Sequence, residues 1–330
     1  MDSHLAVLVS QILGAIYKMR LKLGPAIAQE AEPTNRGKRQ SLLELEIYNL
    51  LLKLLPRGLK RLSLKVRLNV EGWDPVILGK GDEINFDIWV DAVDGTASAA
   101  RWIDSGVFTH GLPINTVVSI SHAVDQPTFN DFFIGAAVDL HSGQQWIADL
   151  AYGAWTRKKH RSPEWTNLGG RRNYHRHNPR LACEFYRHAN WATRLLVNQP
   201  VEWTDMPSSF MNILLAVMGE TDCFFNNVTP WLSNEGQRGH ELGAIYVFVR
   251  KLGAYAIDTR TGEDLGKSAF TFDGMTPVIV GVDAATVRYY WDIVNDNLKK
   301  ITGGNQVLID LHNAVGTERW LLRPLSKMEE

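Results

Sequence analysis

The sequence predicts a layered α/β protein, and three observations carry that expectation. The chain opens on helical patterns, changes in its middle to alternating strand patterns broken by turn formers, and closes on a mixture of both. Its 330 residues are 45% hydrophobic and 22% charged, enough apolar material for an extensive core, which excludes a chain disordered throughout. The 35 Lys plus Arg against 36 Asp plus Glu leave a formal net charge of -1, so nothing global marks a nucleic-acid or membrane-surface protein.

Leu5, Leu8, Val9, Leu13, Ile16 and Met19 recur at three- and four-residue steps, the stripe of a helix buried on one side. The apolar stretch 5–17 is interrupted by Ser10, Gln11 and Gly14 and is too short for a bilayer. No basic residue precedes it and no small-residue cleavage site follows, so it reads as the first helix of a soluble domain rather than a secretory leader. Beyond a polar segment, 29–40, a second helical pattern over 42–55 is expected to end at Pro56 and Gly58. The period then becomes two. Segments 86–90, 116–120, 132–138 and 146–150 are rich in β-branched and aromatic residues, with Ser142-Gly143 as a turn, which predicts a sheet built largely of hairpins.

After the polar segment 156–180, the pattern predicts helices over 210–218, 242–251 (ended by Gly253) and 286–300, and strands over 223–226, 254–258 and 278–282. Two units are expected: residues 1–180, holding the first helices and a large, mostly antiparallel sheet, and residues 181–330, a second α/β half that completes an active site. The two cysteines, Cys183 and Cys223, sit beside apolar or aromatic neighbours, the pattern of buried reduced thiols in a cytoplasmic protein. A disulfide scaffold or zinc knuckle is excluded.

The chemistry concentrates in Asp91-Ala92-Val93-Asp94-Gly95-Thr96. Two carboxylates three residues apart at the end of a strand pattern, followed by a turn that exposes backbone donors, can serve Mg²⁺ and a phosphate together. The same residues could equally form a turn whose aspartate caps the next helix, with glycine needed only for its backbone freedom.

The wider context resembles the inositol monophosphatase-like superfamily of metal-dependent, lithium-sensitive phosphatases, which includes fructose-1,6-bisphosphatases and 3'-phosphoadenosine-5'-phosphate phosphatases. Asp91 to Thr96 matches its D-P-I-D-G-T box, and Val70-Glu71-Gly72 stands at the family's spacing for a G-E-E motif. Downstream, Leu112 to Ile120 resembles the F-P-x-x-x-V-S-I strand, and Gly135-Ala136-Ala137-Val138-Asp139 with Gly153-Ala154 the following hairpin. Pro207-Ser208-Ser209-Phe210 with Met218 to Asp222 resembles the G-S-A-A helix and its exit, and His240-Glu241-Leu242-Gly243-Ala244 stands where the family has W-D-x-A-A-G. The matches run in one order from about residue 42 to about residue 281, which is far more specific than any one box.

The resemblance implies an αβαβα sandwich and a Mg²⁺-dependent phosphomonoesterase with two or three ions, Mn²⁺ being an alternative. Its substrate would be a small phosphorylated polyol, sugar or nucleotide, an inositol phosphate first among them. Asp91 would bridge two metals, Glu71 and the Val93 carbonyl would complete the first position, Asp94 would belong to the second, and Glu241 would be a further metal ligand. Thr96 would orient the attacking water, and the amides of Gly95 and Thr96, with Ser208 and Ser209, would hold the substrate. Close relatives pair as dimers, which makes a homodimer the expectation and Trp191, Trp203 and Trp231 candidate interface residues.

Departures from the family pattern leave a second reading open, a catalytically degenerate member that binds a phosphorylated ligand or regulates a partner. Glu241 replaces the aspartate of W-D and is one methylene longer, and His240 replaces the tryptophan, either to reach the second metal or the leaving group or simply to fill the tryptophan's space. Ala92 replaces the proline of D-P-I-D, and one glutamate stands where G-E-E has two. The family's acid that partners the catalytic threonine has no counterpart between Glu32 and Glu44, and Glu44 and Glu46 are weak substitutes. The basic, aromatic-bearing segment 156–180 could grip phosphates, or be a solvated loop. Neither nucleic acid nor a membrane is an expected partner.

Overall fold

The computed structural model describes residues 3–23, 41–95, 114–158, 164–169, 179–183, 193, 197, 201–204, 208–228 and 236–301. It opens on two helices, α1 (His4–Leu23) and α2 (Leu42–Leu62). Ser41 and Glu44 form a capping box that starts α2 by satisfying its first amides. The helix does not stop at Pro56, because Leu43, Ile47, Leu51, Leu55 and Leu59 form one buried stripe that crosses the proline. Burial of Leu59 and the next turn offsets the bond lost there, a penalty of about 3 kcal/mol. Gly58 is a contact rather than a terminator, since a Cβ there would lie 2.9 Å from Leu8 Cδ2 of α1. The end comes at Ser63, in the left-handed region at φ 54°.

A large sheet follows in the order β2-β1-β3-β4-β5-β6-β7-β8. Its strands are β1 (Lys65–Val70), β2 (Val76–Gly79), β3 (Phe86–Asp94), β4 (Asn115–His122), β5 (Phe132–Asp139), β6 (Gln145–Asp149), β7 (Gly153–Arg157) and β8 (Thr166–Asn167). The pair β1 and β3 is parallel; every other neighbour is antiparallel. Strand β1 lies outside the runs that composition predicts, because it carries Arg67 and Asn69 among its apolar residues. Arg67 is paired bidentately with buried Asp87 on β3, at 2.5 and 2.7 Å, which accounts for a charge inside the sheet.

The second sheet runs β10-β9-β11-β16-β13-β14. It comprises β9 (Arg180–Cys183), β10 (Glu202–Thr204), β11 (Cys223–Asn226), β13 (Tyr255–Asp258), β14 (Glu263–Asp264) and β16 (Val278–Gly281), while β12 (Gln237–Arg238) and β15 (Met275–Thr276) form a separate ribbon. Helices α3 (Ser209–Met218) and α4 (Gly239–Leu252) lie between the sheets, and α5 (Ala284–Ile301) packs on the outer side of the second.

Alternation along the strands builds this layering. On β5, Ile134, Ala136 and Val138 face α1 and α2 and Ala137 faces α4, while a register shift against β4 between Phe132 and Ile134 turns Phe132 to the α4 side as well. On the second sheet, Phe224 and Val280 face inward to α3 and α4, and Phe225 and Ile279 face α5. The succession helix, sheet, helix, sheet, helix is the αβαβα sandwich. Cys183 and Cys223 are buried free thiols. No described helix is long and apolar enough to cross a membrane.

Candidate active site

The parallel pair β1 and β3 ends at a cluster of acids. Glu71 follows β1, and its amide donates to Val90 of β3 at 3.0 Å, which carries the pairing one residue further and sets its side chain beside Asp91. Asp91 and Asp94 are three residues apart, and in a regular strand such residues point to opposite faces. Here β3 bulges against β4: Asp91 pairs with Val117 and Asp94 with Asn115, three steps on one strand against two on the other. The extra residue turns both carboxylates to one side. Asp91 Oδ1 accepts the Val93 amide at 3.0 Å and Thr116 Oγ1 donates to the Ala92 carbonyl at 2.8 Å, so the bulge is tied from both strands. Gly95, at φ 94°, makes the turn that follows.

Helix α3 aims its N-terminus at Asp94. Ser208 Oγ donates to Asp94 Oδ2 at 2.5 Å, the amides of Ser209 and Phe210 donate at 3.2 and 3.1 Å, and Asn115 Nδ2 donates to Ser208 Oγ at 2.6 Å. Three donors hold this carboxylate in place, Asn115 fixes one of them, and the helix dipole favours the charge.

The start of α4 supplies the remaining side. Gly239 is required there, since a Cβ would collide with the Thr271 carbonyl, and the amides of Gly239 and His240 donate to Gly274 and Phe272 at 3.0 and 3.2 Å. This seating turns His240 and Glu241, both in the first turn of α4, towards β3. Gln237 Nε2 donates to Glu241, and Arg238 donates to Glu71 Oε1. His240 Nδ1 lies 3.0 Å from the Phe272 carbonyl, while Nε2 stands 3.5 Å from Asp91 Oδ2 and 3.8 Å from Glu71 Oε2 without a hydrogen bond.

Among the described residues, two sets of ligand atoms converge within 4.8 Å: Glu71, Asp91 and His240, and Asp91, Asp94 and Glu241, with Asp91 common to both. Burial, then the charges of Glu71, Asp94 and Glu241, push the Asp91 carboxyl well above the usual carboxylate range, against the pull of the Val93 amide. Burial likewise holds His240 below its usual value, with Glu71 opposing. So many acids in one cavity are compatible with full ionisation only beside positive charge. The donor set, with an orphaned buried imidazole nitrogen beside it, fits divalent cations.

The fold thus brings together Glu71, Asp91, Val93, Asp94, Gly95, Ser208, Ser209 and Glu241. Thr96 and Pro207 lie outside the described residues, as do Trp191 and Trp231. Trp203 packs against Phe225, with ring centroids 6.0 Å apart. Glu44 is committed to the cap of α2. Of the basic segment, Arg157 stacks on Trp165 at 4.7 Å and donates to Gln145 Oε1 at 2.8 Å, whereas 159–163 and 170–178 lie outside the described residues. Sequence reasoning missed Arg238, Gln237 and Asn115. Gln237 and Arg238 stand three and two residues before His240, so their nearness to the His240-Glu241 motif is the one signal the sequence offers for them.

No family model and no curated protein matches the chain. Solved structures do match. A putative sedoheptulose-1,7 bisphosphatase of Toxoplasma gondii superposes with a TM-score of 0.68 at 14% identity, covering 90% of this chain and 95% of that one. Fructose-1,6-bisphosphatase of Leishmania major gives 0.65 at 13% identity, covering 90% and 94%, and a staphylococcal inositol monophosphatase 0.64 at 12% identity, covering 90% and 97%. Nearly whole chains superpose at these low identities, so what is shared is the path of the backbone, and this chain has the fold of the inositol monophosphatase-like superfamily.

Proposed function

We propose that the chain is a metal-dependent phosphomonoesterase acting on a small phosphorylated polyol, sugar or nucleotide. The observation that carries this reading is the buried carboxylate of Asp91 shared by two ligand sets, the arrangement a pair of cations needs if both are to act on one phosphate. Glu71, Asp91 and the Val93 carbonyl would hold the first ion, and Asp91, Asp94 and Glu241 the second, with Mg²⁺ or Mn²⁺ bound. Bound cations would lower the pKa of a water and neutralise charge on the phosphoryl group. Ser208 and Ser209 would fix Asp94 at the edge of the substrate, the Gly95 amide would donate to phosphate, and Thr96 would orient the attacking water. A homodimer in the cytoplasm belongs to the same reading.

One observation favours the degenerate alternative: Arg238 and Gln237 already satisfy Glu71 and Glu241 with internal donors. A phosphate-release screen of inositol phosphates, sugar bisphosphates and nucleotide phosphates with Mg²⁺ and Mn²⁺ separates the two. Release by at least one class is expected. Asp91→Asn should lower it by about 100-fold or more, the rate equivalent of several kcal/mol of charge stabilisation. Silence with every class, together with a melting temperature indifferent to both ions, would leave the degenerate reading standing.

A further inference from the structure

The first turn of α4 brings a nitrogen into a cluster of oxygens. His240 is 1% exposed, and its Nδ1 faces the Phe272 carbonyl at 3.0 Å. A carbonyl oxygen only accepts, so Nδ1 carries the hydrogen of the neutral ring and the lone pair sits on Nε2. That lone pair points at two carboxylates, Asp91 at 3.5 Å and Glu71 at 3.8 Å, and makes no hydrogen bond among the described residues. Three acceptors facing one another repel unless a positive species stands between them. A proton would draw nitrogen and oxygen to about 2.8 Å. The observed separations are nearer those of neighbouring ligands on one ion, about 3.0 to 3.4 Å when each bond is about 2.1 Å.

We propose that His240 Nε2, with Glu71 Oε2 and Asp91 Oδ2, ligates the first of the two metal positions, and that this position selects a divalent transition-metal ion of the Mn²⁺, Co²⁺ or Zn²⁺ class over Mg²⁺. The inference rests on the reading of the acidic cluster as a metal centre. Imidazole is a ligand that Mg²⁺ uses little and that the first-row transition metals favour. The Nδ1 hydrogen bond to a backbone carbonyl is the outer partner that commonly fixes the tautomer and orientation of a ligating histidine. Arg238 donates to the other oxygen of Glu71, Oε1, and the imidazole nitrogen approaches Oε2. The second position, built from Asp91, Asp94 and Glu241, is all oxygen and suits Mg²⁺. The chain would therefore tell its two positions apart by ligand chemistry, with a histidine at the place the sequence comparison assigns to tryptophan.

The test uses the full chain stripped of metal and reloaded with one equivalent of Mn²⁺. Pulsed electron paramagnetic resonance should show the nitrogen coupling of a directly bound imidazole. That coupling should vanish in His240→Gln while Mn²⁺ still binds through the carboxylates. Calorimetric titrations with Co²⁺ alone and Mg²⁺ alone should show Co²⁺ affinity at least ~10-fold weaker in His240→Gln and Mg²⁺ affinity unchanged. Bound Mn²⁺ without nitrogen coupling in the wild-type protein would overturn the proposal, and needs no variant to fold. So would equal loss of Co²⁺ and Mg²⁺ affinity in His240→Gln, or no loss of either; in these cases phosphate release could still stand. Nitrogen coupling in a protein that hydrolyses no phosphate ester would sustain this inference and remove the enzymatic one. Failure to bind any of the ions would remove both.

Discussion

Asp91 is the residue on which the site turns, and its environment can be tested without knowing a substrate. Its folded carboxyl keeps a proton to higher pH than the unfolded one. Between the ordinary carboxylate range and that raised value the native state therefore binds more protons, and the stability of the metal-free protein falls as pH rises. Asp91→Asn removes the penalty while leaving an oxygen for the Val93 amide. Without metal, the variant should melt above the wild type at neutral pH, by about 2 to 4 °C for each 1 kcal/mol relieved. The gap should close as pH is lowered towards about 3.9, where the wild-type group is neutral in both states. Added Mn²⁺ should raise the melting temperature of the wild type only, because the ion replaces the proton in relieving the repulsion. Melting curves at stepped pH, with chelator and with Mn²⁺, check all three; a variant that melts below wild type at neutral pH in chelator would contradict the repulsion argument.

At the scale of elements, α4 is the part that must be seated correctly, since His240 and Glu241 both project from its first turn. Its seat on the first sheet is set one turn beyond Glu241, where Ala244 meets Gly135. A Cβ at Gly135 of β5 would lie 2.8 Å from the Ala244 carbonyl carbon and closer still to its oxygen, and both are backbone-bound. Gly135→Ala should therefore lift α4 from the sheet and cost about 1 to 3 kcal/mol. It should also weaken metal binding, although Gly135 touches no ligand. Calorimetry on the folded variant decides the matter: unchanged metal affinity would show that α4 does not set the ligand geometry. Helix boundaries teach a related lesson at Pro56 and Gly58. Local propensity favoured a stop, and the continuing stripe to Leu59, with the close approach to Leu8, overrode it.

For the molecule as a whole, the central core joins what the sequence divides near residue 180. Trp89 and Val117 of the first sheet, Phe210 and Phe248 of the intervening helices, and Phe224 and Val280 of the second sheet belong to one buried cluster. A core shared in this way should melt as one unit. Phe248, which packs edge-on against Phe210 with centroids 6.0 Å apart, is fully buried in its centre. Phe248→Ala should cost about 3 to 5 kcal/mol and move the near- and far-ultraviolet circular dichroism transitions together. Transitions that separate in urea would mean that the two halves are energetically independent.

What the sequence by itself determined was whatever repeats along the chain or stands in an unbroken motif. The buried stripe of α2, the β-branched and aromatic runs of β4, β5 and β6, the glycine that ends α4, and the run Asp91 to Gly95 could be read because neighbours in sequence carry the signal. Tertiary structure alone decided whether Asp91 and Asp94 share a side, because that depends on one extra residue in β3 relative to β4, and a bulge is a property of a pair of strands. It decided the company of Asp94, whose donors Ser208 to Phe210 arrive more than a hundred residues later on α3. And it decided the place of His240, which the sequence left between ligand and filler. The direction of an imidazole lone pair is set by the Phe272 carbonyl, and that carbonyl reaches His240 only when the chain has folded back on the start of its own helix.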